Sequence, residues 1–208
     1  MQQSDRQANI LRIYGTLVTE REDWGGALVP SYGEGAAASG IAAAVSIAGG
    51  TTLVLDDDAA AVKSAMRRGE LDFVVNTLDE ALRTLKNQIR QRRPLSVGLI
   101  AEVTAVLQEM EERGVLPDRR YSQTPESMLP SYKSLQEHQI LAANTEELRR
   151  VDNQLLAMIP ADDLVRRHWI QRAPQYLRGA RSGSRWVWLS EQEQDQLRDL
   201  FQISPASR

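Results

Sequence analysis

Residues 24–58 read WGGALVPSYGEGAAASGIAAAVSIAGGTTLVLDDD, and their order decides the fold. An apolar run at 27–32 leads into a glycine turn, a small-residue stretch over 36–48 and a second apolar run at 51–56. That is strand, turn, helix, strand, then acid. Gly33, Gly35 and Ala38 stand at the spacing G-x-G-x-x-A, and Asp56 closes the second run. Each position has a physical reason in a dinucleotide-binding turn. Gly33 permits a tight reversal, Gly35 lets the backbone approach a pyrophosphate, and Ala38 allows close packing of helix on strand. The helix N-terminus adds unpaired N–H groups and a partial positive charge. Asp56 lies where a carboxylate holds a ribose hydroxyl.

Outward from that stretch the alternation continues. Before it, Ile10, Leu11, Tyr14, Leu17 and Val18 recur at spacings of three and four, which predicts an amphipathic helix over about 5–20. Pro30 is awkward within the first strand, because it has no N–H for a ladder. After it, Asp58 can cap a helix through Met66, closed by Gly69. LDFVVN at 71–76 predicts a third strand. Thr77 with Glu80 resembles a capping box for a helix to Gln91. LSVGLI at 95–100 predicts a fourth buried strand, and 101–113 a further helix ended by Gly114. The expectation is an α/β, Rossmann-like parallel sheet with helices on both faces.

The character changes after Tyr121. SQTPESMLPSY is proline-punctuated, and 135–159 reads as helical and charged, with no further strand until RWVWL at 185–189. Residues 162–178 predict another helix that Pro174 kinks or ends. The organisation read from sequence is therefore a dinucleotide-binding domain over 1–124 and a mainly α-helical extension over 125–208, packing on the first domain or on a partner subunit.

Composition narrows the chemistry. The 208 residues carry a net charge of −3, no cysteine and two histidines, His138 and His168, far apart in the chain. Disulfides, thiolate metal sites and cysteine nucleophiles are excluded, and no metal site is expected. The weak negative charge argues against bulk nucleic-acid binding. No apolar run is long enough to cross a membrane, and the N-terminus lacks the h-region of a signal peptide. A cytoplasmic protein is expected. Arginines interleaved with Trp169, Tyr176, Trp186 and Trp188 in the last third suit a protein interface better than single-stranded nucleic acid. His168 has only Asp162 and Asp163 nearby in sequence as acidic partners for general-base work.

Over residues 49–124 the chain resembles the central NAD-binding domain of the urocanases (urocanate hydratases). The likeness rests on LDEAL at 78–82, PLSVGL at 94–99, RGVLPD at 113–118 and QT at 123–124, with GEGAAASG falling where that family carries its glycine-rich turn. It extends over about 10–124. The resemblance implies NAD used as an electrophile in the addition of water to urocanate. It implies that Gly33, Gly35 and Ser39 lie at the phosphates, Asp56 or Asp57 at the adenosine ribose, Gly98 at the tip of the fourth strand, and Gln123 and Thr124 near the nicotinamide. After QT, Pro125, Glu126, Ser127 and Met128 replace the family's Ser-Ala-His-Asp run, and the family's functional cysteine has no counterpart. No catalytic residue is assigned. The expectation is an NAD(H)-binding, homodimeric protein that does not hydrate urocanate by itself. The alternatives are a lyase-type NAD-dependent subunit completed by another chain, or a non-catalytic interaction module without ligand.

Overall fold

The computed structural model describes residues 3–33, 35–38, 40–122, 131–177 and 183–205. Helix α1 (Gln3–Glu20) precedes strand β1 (Leu28–Tyr32). A 3₁₀ turn (Ala36–Ala38) and helix α2 (Ile41–Ala48) lead to β2 (Thr51–Asp56). Then follow α3 (Ala59–Arg67), β3 (Phe73–Val75), α4 (Leu78–Gln91), β4 (Leu95–Ile100) and α5 (Val103–Glu112). The four strands form a parallel sheet in the order β1-β2-β4-β3. Side chains alternate across it. Leu53 and Leu55 of β2 join Leu78, Leu85, Val106 and Met110 of α4 and α5 on one face. Val54 joins Val62 and Ala65 of α3 on the other. This is the Rossmann-like α/β fold that the alternation predicted.

Pro30 is accommodated because its missing N–H faces outward. The backbone nitrogens of Leu28, Pro30 and Tyr32 point to the same side of β1. There Leu28 donates to the Asp118 carboxylate (2.9 Å) and Tyr32 to the Tyr121 carbonyl (2.9 Å), while the Pro30 carbonyl accepts from Tyr121 (3.0 Å). Residues 118–121 thus cover the β1 edge, which satisfies the backbone without asking Pro30 for a donor.

The small residues of α2 also find their reason. Residues Ile41 to Ile47 are all buried, with the sheet on one side and α1 and α7 on the other. A helix covered all round needs no polar face, and its alanines let the neighbouring layers approach closely.

The second half contains strands that the sequence pattern concealed. A hairpin of β5 (Ser131–Tyr132) and β6 (Leu135–Leu141) is followed by α6 (Thr145–Met158), α7 (Leu164–Tyr176), β7 (Ser184–Leu189), α8 (Glu191–Arg198) and β8 (Gln202–Pro205). Central β6 pairs antiparallel with β7 on one side and with β5 and β8 on the other. Residues 135–141 are therefore strand, where the sequence reading placed the start of a helix; the helix begins at Thr145, capped by Asn144. Helix α1 lies on one face of this sheet, where Arg12 pairs with buried Glu137 (2.8 Å). Helix α6 lies on the other, where Asp152 pairs with Arg185 (2.6 Å). The outer edge of β7 is closed by side chains. Trp186 N–H donates to Gln7, its carbonyl accepts from the Trp169 indole (2.8 Å), and the Trp188 carbonyl accepts from Arg166 (3.3 Å). One continuous apolar cluster joins α1 and α2 to Trp169, Trp186 and Trp188. Both β7 tryptophans share a face and cover this core. Pro174 sits in the last turn of α7, near the helix end at Tyr176.

Candidate functional site

The glycine turn lies at the carboxyl ends of β1 and β2, the end of a parallel sheet at which ligands bind. The chain leaves β1 at Tyr32 into Gly33, whose φ of +102° suits glycine alone. A Cβ there would stand 2.8 Å from the Ser122 carbonyl oxygen. Gly33 is thus required by the turn and by the neighbouring chain. Its carbonyl accepts from Ala36 N–H (3.0 Å), closing the 3₁₀ turn. Gly35 is different. It is exposed, with φ +74°, and a Cβ built on it meets nothing within 4 Å. Its backbone is open to a ligand.

The helix after the turn begins later than the fingerprint predicts. The stretch 36–48 divides into the 3₁₀ turn and α2, because Gly40 between them takes φ +85°. A Cβ on Gly40 would meet Ile10 of α1 at 2.7 Å. Close approach of α1 therefore sets the break, and Ala38 ends the 3₁₀ turn instead of opening a helix. Gly40 is the N-cap of α2 and supplies no side-chain cap.

Three consecutive acids close β2, and the structure separates their roles. Asp56 is 4% exposed. Its Oδ2 accepts from Ala37 N–H in the 3₁₀ turn (3.1 Å) and its Oδ1 from Asp58 N–H (3.0 Å). Asp58 caps α3, accepting from Ala60 (2.8 Å) and Ala61 (3.1 Å). Asp57 is exposed and makes no hydrogen bond or ion pair among the described residues. Of the two acids that the resemblance offered for the ribose, Asp56 ties the turn to β2 and Asp57 has its carboxylate free.

Gly98 lies within β4, opposite Val54 and Val74, not at the strand tip. A Cβ there would meet Val62 at 2.7 Å and Leu71 at 2.9 Å. Its small size serves the packing of α3 on the sheet. Ser39, Gln123 and Thr124 lie outside the described residues, and Ser122, against Gly33, is the last described residue before that pair. Two contributors to the turn escaped sequence reading: Ser122, whose backbone walls it, and Ile10, which displaces the helix start. Neither carries a residue type that signals such a role.

The urocanase Rossmann-like domain pattern matches residues 9–162, more than half of the 208-residue chain. The chain belongs to this family. Within this urocanase Rossmann-like domain the match starts in α1, covers the parallel sheet and the glycine turn, and continues through β6 and α6. It runs well past residue 124, where the resemblance was read to stop.

Several arginines in the last third of the chain are consumed internally. Arg166 pairs with Asp163 (2.6 Å) and Glu193 (2.8 Å), and Arg185 with Asp152. Arg167 donates to the Leu156 and Ile159 carbonyls at the end of α6 (2.7 and 2.9 Å). No group of three or more acids or histidines suited to a metal occurs among the described residues, and none of the described helices is long and apolar enough to cross a membrane.

Proposed function

We propose that this domain binds NAD at the Gly33–Gly40 turn, with the Gly35 backbone at the pyrophosphate and Asp57 at the adenosine ribose. The observation that carries this reading is Gly35 itself. It stands at the carboxyl ends of parallel strands, with open space where a side chain would be, and Asp57, just past the end of β2, has a carboxylate with no partner among the described residues. Gly33 shapes the turn, and Asp56 holds its Ala37 N–H in place. The resemblance adds Ser39 on the phosphate side and Gln123 and Thr124 toward the nicotinamide. When bound, NAD supplies an electrophilic nicotinamide ring. What this chain contributes is the cradle, with hydratase chemistry completed by another chain.

Thermal-shift titration with NAD⁺, NADH, NADP⁺ and ADP-ribose tests the reading. A ligand that binds only the folded state raises the melting temperature as its concentration passes the dissociation constant. A saturable rise with NAD⁺ that Gly35→Trp abolishes is expected. No rise with any of the four, from protein free of copurified nucleotide, would overturn it.

One observation favours a second reading. Asp56 already satisfies the Ala37 N–H with a carboxylate of the chain's own. A module that keeps this turn as a structural feature, without a ligand, would show the folded state intact and the titration flat.

A further inference from the structure

Strand β3 ends the parallel sheet. It pairs with β4 on one side, and no described residue pairs with its other side. At the far end of the same sheet, residues 118–121 cover the β1 edge. An uncovered edge strand offers its outward N–H and C=O groups to another extended chain.

The side chains around this edge are not those that ordinarily blunt one. Phe73 aligns with Val97 and Val75 with Leu99, so both point to the α4 face of the sheet, where Val75 packs on the core. Phe73 remains 52% exposed. Helix α3 stands on the other face. Its Val62 and Ala65 pack on the sheet, and Arg68 turns toward α1, where it shares Glu70 with Arg6. Met66 lies on the flank of α3 turned away from α1, toward the β3 edge, and is 40% exposed. Large apolar side chains thus flank the open backbone above and below the sheet. Lys63, three positions before Met66, and Arg67, four after Lys63, share that flank. Both are exposed, and neither is in an ion pair among the described residues. The neighbouring acids are committed. Asp72 accepts from the Ser96 N–H (2.9 Å) and hydroxyl (2.8 Å), Glu70 is held by Arg6 and Arg68, Glu80 accepts from the Asn76 N–H (3.2 Å), and Asp79 pairs with Arg113. The free charge at this edge is positive, on a chain whose net charge is −3.

We propose that the β3 edge docks an acidic, extended segment of another polypeptide as a further strand of the sheet. Alternation along such a strand sends its carboxylates to the α3 face, over Lys63 and Arg67, and its apolar side chains to the other face, against Phe73. Charge sets the choice of occupant. Two copies of this chain paired through β3 about a two-fold axis would place α3 against α3, with Lys63 and Arg67 facing their own like charges.

The probe is the capped peptide Glu-Val-Glu-Val-Glu-Val-Glu, titrated into the full nitrogen-15-labelled chain and read from backbone amide signals. The Phe73–Val75 amides should shift saturably with a dissociation constant of about a millimolar or tighter and exchange with solvent more slowly when the peptide is bound. The lysine counterpart, with every Glu replaced, should bind at least tenfold more weakly, as should the acidic peptide with its central Val replaced by Pro, which removes a ladder donor. Phe73→Ser and the double variant Lys63→Gln, Arg67→Gln should each weaken the acidic peptide at least fivefold; all three side chains are exposed, so the parent fold is retained. Unmoved β3 amides at ten millimolar acidic peptide would overturn the proposal, as would equal responses to the acidic and lysine peptides or an undiminished response in both variants. Shifts of the same amides on simple dilution of the parent chain would seat a second copy there and overturn the acidic partner. An oligouridylate that moved them at lower concentration than the acidic peptide would seat a nucleic acid and do the same. The peptide responses on the parent chain do not depend on NAD binding at the glycine turn.

Discussion

Replacing Asp56 by alanine separates a structural acid from a ligand-binding one. In the folded chain both Asp56 oxygens accept backbone N–H groups, Ala37 at 3.1 Å and Asp58 at 3.0 Å, and the residue is 4% exposed. The first bond is buried, so Asp56→Ala leaves the Ala37 N–H without a partner, a cost of about 1–3 kcal/mol. The second is partly buried and water can replace it, adding about 0.5–1 kcal/mol. The sum is roughly 1.5–4 kcal/mol, a melting-temperature drop of about 3–16 °C for a chain of this length. Asp56→Asn keeps one acceptor oxygen, so about half of that loss should remain. Asp57→Ala, exposed and without a partner, should change stability by less than about 0.5 kcal/mol while weakening NAD binding. The assay is urea unfolding followed by tryptophan fluorescence, with an NAD⁺ titration on each variant. An Asp56→Ala protein as stable as the parent would refute the argument that this carboxylate holds the turn. Full NAD affinity in Asp57→Ala would remove Asp57 from the ribose.

Two further outcomes follow from charges inside the second sheet. The Arg185 side chain is 3% exposed and held by Asp152 through two hydrogen bonds, so Asp152→Ala strands a buried cation and should cost about 3–5 kcal/mol; a loss below about 1 kcal/mol in urea unfolding would contradict it. His138 is buried between Val187 and Pro205 on the flanking strands, neither ring nitrogen has a partner, and burial together with Arg198 pushes its pKa down. The unfolded chain therefore takes up the proton first, so stability is complete above about pH 6.5 and falls as the pH drops below it. His168, shifted the same way, adds to the slope. His138→Leu should flatten part of that decline between neutrality and the onset of carboxylate protonation, and an unchanged slope would show that His138 does not titrate on unfolding.

The parallel sheet was legible in the sequence because each of its elements carries a local signal. The runs at 51–56 and 95–100 are continuous apolar strands, and they form over those residues. Asp58 caps α3 as read. Thr77 accepts from Glu80 N–H, although the Glu80 carboxylate returns to Asn76 N–H instead of completing a box on Thr77. Strand β6 was not legible. Its segment LQEHQIL buries Glu137 and His138, polar residues that mask any alternation, and Glu137 is tolerated inside only because Arg12, 125 positions away, neutralises it. Local pattern cannot report such a partner.

At the site the division is the same. The sequence by itself determined a glycine turn between two parallel strands, with acids at the second strand's end, because backbone freedom at Gly33 and Gly35 and apolar runs on either side are local properties. Tertiary structure alone decided which glycine faces open space and which faces the Ser122 carbonyl, and which aspartate is spent on the turn. It also delayed the helix to Gly40, under Ile10, and left Arg172, among many arginines, without a paired acid among the described residues. Those outcomes depend on groups brought together from distant parts of the chain, and a residue's role there is set by the donors, acceptors and volumes that reach it first.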